Sequence, residues 1–183
     1  MSRHFVFILG SSRPGGNTEF LTRRAAAALP GDVAQTWLDL RELSLPDFED
    51  IRHDGTREYT VPTGNEKTLL DATLAATDLV IASPLYWYSV SAPVKKYLDY
   101  WSAWLRVPGA DFRQNMAGRN IWAVSAISEE DPVFAKPLEE TLRISGEYMG
   151  MTWKGALLGY ANRPGDMEQD AKALAAAETF FAG

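Results

Sequence analysis

The sequence predicts an α/β fold, a doubly wound parallel sheet of five strands with helices on both faces. Three observations support this prediction. Short apolar runs alternate with amphipathic stretches along the chain. The 183 residues, of which 46% are hydrophobic, suit one compact domain, 1–183, with a full core. Strand–helix–strand crossovers are right-handed and make neighbouring strands parallel.

The predicted strands are short apolar runs bounded by polar or turn-forming residues. In chain order they are Phe5 to Leu9, Val33 to Leu40, Leu79 to Ala82, Ile121 to Ile127 and Trp153 to Leu158. The helices that follow them are indicated by apolar residues three and four positions apart. Their marker residues run from Leu21 to Leu29, Leu69 to Thr77, Val94 to Leu105, Phe134 to Met149 and Met167 to Phe181. Ligands of such sheets bind beyond the carboxyl ends of the strands, so the loops there form the candidate site.

Composition removes several classes of chemistry. The chain has no cysteine, which excludes disulfides, thiolate metal sites, cysteine-ligated iron–sulfur clusters and a cysteine nucleophile. Its two histidines, His4 and His53, are far apart, give poor support to a metal site or a catalytic triad, and are expected to be solvated. The net charge of −6, with no basic run longer than two residues, argues against a nucleic-acid partner. No stretch has the pattern of a signal peptide or a membrane span, so we expect a cytoplasmic protein.

The loop after the first strand, Gly10 to Thr18, has the sequence GSSRPGGNT and the chemistry of an anion site. Glycines bring backbone N–H groups close to an anion, hydroxyls add donors, and the next helix contributes its positive end. A triphosphate loop would need a lysine after its second glycine, and a dinucleotide loop would need glycine where Ser12 stands. A terminal monophosphate therefore fits best. The alternative is a hydroxyl-rich turn that only caps the helix.

The loop after the third strand, Ser83 to Pro93, is aromatic where loops are usually polar. Its sequence, SPLYWYSVSAP, suits the wall of a site for a flat apolar ring. The alternative is that Tyr86 and Trp87 pack beneath the following helix. The loop after the fourth strand begins at Ser125 and could add backbone contacts to such a ring; its acidic cluster is interpreted as a helix start, with Asp131 as cap and Pro132 first in the helix.

A monophosphate site beside an aromatic wall suits flavin mononucleotide (FMN). The pair GSSRPGGNT and SPLYWYSVSAPVKKYLDYW resembles the flavodoxin-like flavoproteins, and among them the NAD(P)H-dependent FMN reductases and quinone reductases. The resemblance covers nearly the whole chain and implies the sheet order 2-1-3-4-5. It assigns FMN contacts to the phosphate loop, the aromatic loop and the fourth strand. These residues are Ser11, Arg13, Asn17 and Thr18 for the phosphate, Pro84, Leu85, Tyr86, Trp87, Tyr88 and Ser89 for the isoalloxazine, and Ser125 for its other side.

The resemblance also implies the reaction. A hydride would pass from NADPH or NADH through FMN to a small acceptor, such as a quinone, an azo or nitroaromatic compound or free flavin, in a ping-pong cycle. The cofactor would carry the chemistry without a metal, and Tyr88 or Ser128 could assist proton delivery. The sequence does not distinguish NADH from NADPH as the electron donor, and it does not identify the acceptor.

Two other functions stay open at this stage. A flavodoxin-type electron carrier would usually meet its partners through a strongly acidic rim, whereas the predicted rim holds several cations, which favours a reductase. They are Arg13, Lys95, Lys96, Arg106 and Arg113. A domain of the same winding could instead bind a phosphate ester, or a protein partner, without redox chemistry.

Two long connections, Pro46 to Asn65 and Arg106 to Arg119, have a length that is typical of lids or subunit contacts; the alternative is that both are solvated loops and nothing more. Near the end of the third helix the aromatic content exceeds what one core should need, which predicts a homodimer or a higher homo-oligomer. The residues concerned are Tyr100, Trp101, Trp104, Phe112 and Trp122.

Overall fold

The computed structural model describes residues 2–53 and 59–182. Within them, five parallel strands form one sheet in the order β2-β1-β3-β4-β5, as predicted. The strands are β1 (His4–Leu9), β2 (Ala34–Asp39), β3 (Asp78–Ala82), β4 (Asn120–Ile127) and β5 (Thr152–Tyr160).

Helices cover the sheet on both faces. They are α1 (Asn17–Ala26), α2 (Gly64–Ala75), α3 (Ala92–Trp104), α4 (Phe112–Met116), α5 (Lys136–Tyr148) and α6 (Ala171–Ala177), with 3₁₀ turns at Pro132–Ala135, Asp166–Gln169 and Phe180–Ala182. The predicted closing helix is therefore broken into short pieces. The predicted cap is confirmed, since the Asp131 carboxylate accepts from Val133 N at 2.9 Å and Pro132 begins the 3₁₀ turn.

The core lies in two layers, one on each face of the sheet. Val6 and Ile8 of β1 join the cluster under α2, α3, α4 and α5, whereas Phe5 and Phe7 join the cluster under α1 and α6. Successive side chains of a strand point to opposite faces, so a strand buried on both sides has a continuous apolar sequence. This double burial explains why β1 and β3 stand out in the sequence.

The aromatic residues that predicted a homodimer are core residues, and that argument is wrong. Trp104 and Trp122 are at most 1% exposed, and Tyr100, the most accessible of the five, is 8% exposed. Phe112 stacks edge-to-face on Trp101 and Trp104, because α4, which the sequence analysis missed, covers them. The homodimer itself stays a prediction without this support.

His4 also differs from its expectation. Its Nδ1 lies 3.2 Å from Ala75 O and its Nε2 lies 2.9 Å from Thr36 Oγ1, so the ring joins the α2 end to β2 rather than facing water alone. His53 is exposed, as expected.

The two long connections are partly ordered against the core. In the first, Tyr59 Oη donates to Glu49 O at 3.1 Å, and residues 54–58 lie outside the described part. The second contains α4. No helix of the described residues is both long and apolar enough to cross a membrane.

Candidate functional site

The predicted site loops meet around one cavity of about 230 Å³ at the carboxyl ends of β1, β3 and β4. The loop after β5 completes it through Ala161 and Asn162. The predicted residues that line the cavity are Ser11, Arg13, Asn17, Thr18, Pro84, Leu85, Tyr86 and Ser128, together with Gly16 and Ala126. The structure thus brings the phosphate loop and the aromatic loop to one place.

Gly16 leaves a cradle for an anion at the start of α1. A Cβ at this position would lie 3.3 Å from Ser11 Oγ and 3.6 Å from Arg13 Nε, so both groups converge on the space beside it. No side chain caps α1 at Gly16. The first N–H groups of an uncapped helix and its positive dipole end favour an anion. This donor set fits the phosphate of FMN.

Thr18 anchors the start of α1 to the sheet. Its side chain is 3% exposed, and its Oγ1 accepts from Ala126 N of β4 at 3.2 Å. The same hydroxyl retains a hydrogen to donate. Thr18 therefore sets the distance between the phosphate loop and β4.

The Asn17 side chain is engaged elsewhere. Its Nδ2 donates to Arg163 O at 2.8 Å, and its Oδ1 accepts from Gly165 N at 3.1 Å. The backbone N–H of Asn17 is what remains for an anion. This loop after β5 was not among the predicted site loops, which follow β1, β3 and β4, although the parallel strand β5 ends on the same side of the sheet.

The aromatic loop contains a tight turn. Tyr86 N donates to Ser89 O and Ser89 N donates to Tyr86 O, each at 3.1 Å. Trp87 and Tyr88 between them have φ of +49° and +64°, as in a type I′ hairpin turn. That turn normally takes Asn-Gly, and the left-handed region costs other residues about 1 kcal/mol or more each. A strained turn of two aromatic residues beside a cavity is typical of a functional site.

This turn projects into solvent. Trp87 is 94% exposed and Tyr86 is 45% exposed, so the alternative in which they pack beneath α3 is wrong. Trp87, Tyr88 and Ser89 do not line the cavity, and the Tyr88 ring instead lies 5.8 Å from that of Phe134. Together with Tyr86, which lines the cavity, these residues form a surface at the cavity mouth that we call the aromatic shelf, Tyr86 to Ser89.

The predicted cationic rim is placed differently from expectation, whereas the backbone contact of Ser125 with the ring stays a prediction. The Ser125 side chain is fully buried and does not reach the cavity. Of the five rim cations only Arg13 lines it. Lys95 and Lys96 pair with Asp99 and Asp47. Arg113 stacks on Tyr148, and Arg106 follows the distant end of α3.

Gly10 lets α3 approach the phosphate loop. A Cβ here would lie 2.1 Å from Val94 Cγ2, which no side-chain shift of a few tenths of an ångström could relieve. Ser91 Oγ at the start of α3 donates to Gly10 O at 2.6 Å, and Ser83 Oγ accepts from Ser91 N at 2.9 Å. These contacts hold the two site loops at a fixed separation.

A parallel sheet of this order, with an anion cradle after β1 and an aromatic shelf after β3, defines the flavodoxin-like class. A model of the NADPH-dependent FMN reductase family matches residues 4–152, and the chain belongs to this family. Its cofactor is FMN and its activity is that of an NAD(P)H-dependent oxidoreductase. The family favours the enzyme over the electron carrier and the non-redox module.

The chain is similar to known proteins in sequence and in fold. The chain is 30% identical over 171 residues to YwqN of Bacillus subtilis, whose name describes an NAD(P)H-dependent FMN-containing oxidoreductase; the match covers 93% of this chain and 92% of that protein. The Trp repressor binding protein of Bacillus subtilis superposes with a TM-score of 0.74 at 27% identity, covering 97% and 96% of the two chains. An FMN-dependent NADH-azoreductase of Bacillus anthracis in complex with FMN, 12% identical, shares the fold with a TM-score of 0.64 over 97% and 98%.

Proposed function

We propose that the protein passes two electrons from NADPH or NADH, through FMN, to a small organic acceptor in a ping-pong cycle. The acceptor is a quinone, an azo or nitroaromatic compound, or free flavin. The observation that carries the proposal is the convergence of Ser11 Oγ, Arg13 Nε and the uncapped start of α1 beside an exposed aromatic turn. FMN, when bound, supplies the hydride and electron transfer.

The protein's first task is to hold the phosphate. Ser11 and Arg13 supply a hydroxyl and a guanidinium, and Asn17 and Thr18 supply backbone N–H groups of the first turn of α1. Charge-assisted bonds of this kind are the strongest that a protein offers to a phosphate. They fix the register of the whole cofactor.

Its second task is to present a flat ring with one face open. A cavity of about 230 Å³ is smaller than the roughly 300 Å³ or more usual for a whole ligand of this size, so we infer that the ring lies outside it, against the aromatic shelf. A ring held in this way leaves one face for the nicotinamide and the acceptor in turn. This supports the ping-pong order.

Proton delivery to the acceptor is assigned to Ser128 rather than Tyr88. Ser128 lines the cavity, whereas Tyr88 turns toward Phe134. A hydroxyl at the cavity wall can relay a proton from solvent toward the flavin ring at the cavity mouth, whose open face receives the acceptor.

The test is an absorbance titration of the purified protein with FMN, followed by anaerobic addition of NADH or NADPH and then of a quinone. We expect a protein-bound flavin band that bleaches with one nicotinamide and returns with the quinone, and parallel lines in double-reciprocal plots. Bound flavin that neither nicotinamide bleaches would contradict the proposed reaction. Intersecting lines would contradict only the ping-pong order.

A further inference from the structure

We propose that Arg163, held at the start of α1 by the Asn17 side chain, is a second cation for the phosphate of FMN. The inference rests on the proposed function, because it concerns the same site. Its starting point is the loop after β5, residues 161–165, which no sequence motif had connected with the phosphate.

Asn17 ties this loop to the anion cradle. Both polar atoms of the Asn17 side chain contact this loop. Its Nδ2 donates to Arg163 O, and its Oδ1 accepts from Gly165 N. Asn17 is 8% exposed, so these bonds are shielded from water. The backbone of Arg163 therefore lies within hydrogen-bonding distance of the first residue of α1.

The loop is also held by hydrogen bonds of its own. Asp166 Oδ2 accepts from Asn162 N at 3.1 Å and from Arg163 N at 2.6 Å, and Asp166 N donates to Arg163 O at 3.1 Å. Gly165 has φ of +87°, a conformation that favours glycine. Asn162, next to Arg163, lines the cavity. Both backbone polar groups of Arg163 are thus fixed before any ligand binds.

The charge balance leaves room for another cation. A phosphate monoester carries about −1.5 to −2 charges at pH 7, whereas Arg13 supplies one positive charge and the helix terminus about half of one. The carboxylate of Glu19 accepts from Gly15 N at 2.9 Å, but its charge is offset by the ion pair with Arg23. Arg13 and the helix terminus together supply about +1.5 charges, which leaves up to about half a negative charge on the phosphate for a second cation.

Arg163 is available for this role. Its side chain is exposed, and among the described residues no carboxylate lies within ion-pair distance of it. Most other cations of the described chain are paired, Arg23 with Glu19 for example. In the described part of the chain, neither Arg13 nor Arg163 has a carboxylate partner, and both lie on loops that border the same cavity.

The test compares FMN with riboflavin, which lacks the phosphate. FMN-free protein is titrated with each flavin, following flavin fluorescence, for the wild type, R163Q, R163K and R13Q. R106Q is the matched control, since Arg106 also has no carboxylate partner within residues 2–53 and 59–182 but lies at the far end of α3. We expect R163Q to raise the Kd for FMN about tenfold, as R13Q does, with riboflavin unaffected and R163K near wild type.

The outcomes separate the inference from the proposed function. An R163Q protein that matches R106Q, or that loses FMN and riboflavin equally, overturns the role of Arg163. An unchanged Kd for FMN with a raised KM for NADPH but not NADH overturns it too, by assigning Arg163 to the nicotinamide's phosphate. A wild type that binds neither flavin contradicts the proposed function instead.

A double-mutant cycle tests whether the Asn17 side chain positions Arg163. Asn17→Ala keeps the backbone N–H and removes only the two side-chain bonds, so we expect it to raise the Kd for FMN in the wild type and to have little further effect in R163Q. If the losses of FMN affinity in the two single variants add fully in the double variant, Asn17 does not act through Arg163. If N17A does not fold, the rate of flavin release from R163Q and R163K holoprotein decides the role of Arg163 alone.

Discussion

Ser12 Oγ lies 3.1 Å from Tyr86 Oη, so the phosphate loop and the aromatic shelf touch through two hydroxyls. Both side chains are exposed, and water competes for both partners. The bond therefore contributes little to folding. It does couple the end of the site that holds a phosphate to the end that faces a ring.

Removing this bond should change flavin release without changing stability. We expect Ser12→Ala and Tyr86→Phe each to alter the free energy of unfolding by less than about 1 kcal/mol. Both should speed FMN dissociation by the same factor, and the double variant should be no faster than either, because one bond is lost in all three. Dilution of holoprotein with fluorescence detection measures the rate. Tyr148→Phe, another exposed tyrosine, is the control, and additive effects would contradict the coupling.

Much of the architecture could be predicted because it follows from burial. A strand covered on both faces, such as Phe5 to Leu9, must be apolar throughout, and the long helix α3 repeats its apolar residues at helical spacing. The helix α4 has only five residues, too few for such a period. Its omission left Trp101 and Trp104 apparently uncovered, and the homodimer argument failed for that reason.

The site could be located but not detailed. Loops rich in glycine, hydroxyls and aromatics identify where a phosphate and a ring would bind. The partner of the Asn17 amide is 146 residues away at Arg163, and no local pattern carries that information. The tight turn at Trp87 and Tyr88 could not be predicted either, because the usual sequence signal for positive φ, Asn-Gly, is missing.

The strain at the aromatic turn predicts a stabilising substitution. Trp87 is 94% exposed with φ of +49°, so it buries almost nothing and occupies a conformation that asparagine adopts more easily. We expect Trp87→Asn to raise the free energy of unfolding of the FMN-free protein by about 0.5–1 kcal/mol, or Tm by roughly 1–4 °C. The bound flavin spectrum should change in the same variant.

Val61→Asn provides the comparison for this prediction. Val61 is 66% exposed but has an ordinary negative φ, so the same replacement relieves no strain there. Equal gains in the two variants would show that lost surface hydrophobicity, and not backbone conformation, is responsible. A drop in Tm for Trp87→Asn would mean that Trp87 is packed against something in solution.

Asp78 joins neighbouring elements at the amino ends of the strands, on the side of the sheet opposite to the candidate site. It is fully buried at the start of β3 and accepts from Arg3 Nη2 at 2.7 Å, Asn120 Nδ2 at 2.8 Å and Trp122 Nε1 at 3.1 Å. We expect Asp78→Asn to lower the free energy of unfolding at pH 7 by about 2–4 kcal/mol, since it leaves buried donors without their charged acceptor. Urea denaturation measures this. Asp71→Asn, which breaks an exposed pair with Lys67, should cost less than about 0.5 kcal/mol.

The same carboxylate gives a pH dependence of known sign. Burial raises the pKa of Asp78, but hydrogen bonds from Arg3, Asn120, Thr77 and Trp122 outweigh it and hold the pKa below its ordinary value of 3.8. Its stabilising contribution is therefore complete above the unfolded pKa and is lost as the pH falls through the lower folded value. The difference in stability between wild type and Asp78→Asn should shrink below pH 4. A difference that stays constant down to pH 2 would contradict this linkage.

Filling the cradle at Gly16 should block the phosphate while leaving the fold intact. Gly16 has φ of −75° and ψ of 171°, which any residue adopts, so Gly16→Val is not strained by its backbone. Its methyl groups would enter the space onto which Ser11 Oγ and Arg13 Nε converge, and we expect at least a tenfold rise in the Kd for FMN with a much smaller effect on riboflavin. The less favourable helix cap should cost only about 1 kcal/mol of stability.

Gly31→Val is the control, because a Cβ at Gly31 meets nothing within 4 Å, and it should leave the binding of both flavins unaffected. Equal losses for FMN and riboflavin in Gly16→Val would place the ring, and not the phosphate, at the start of α1.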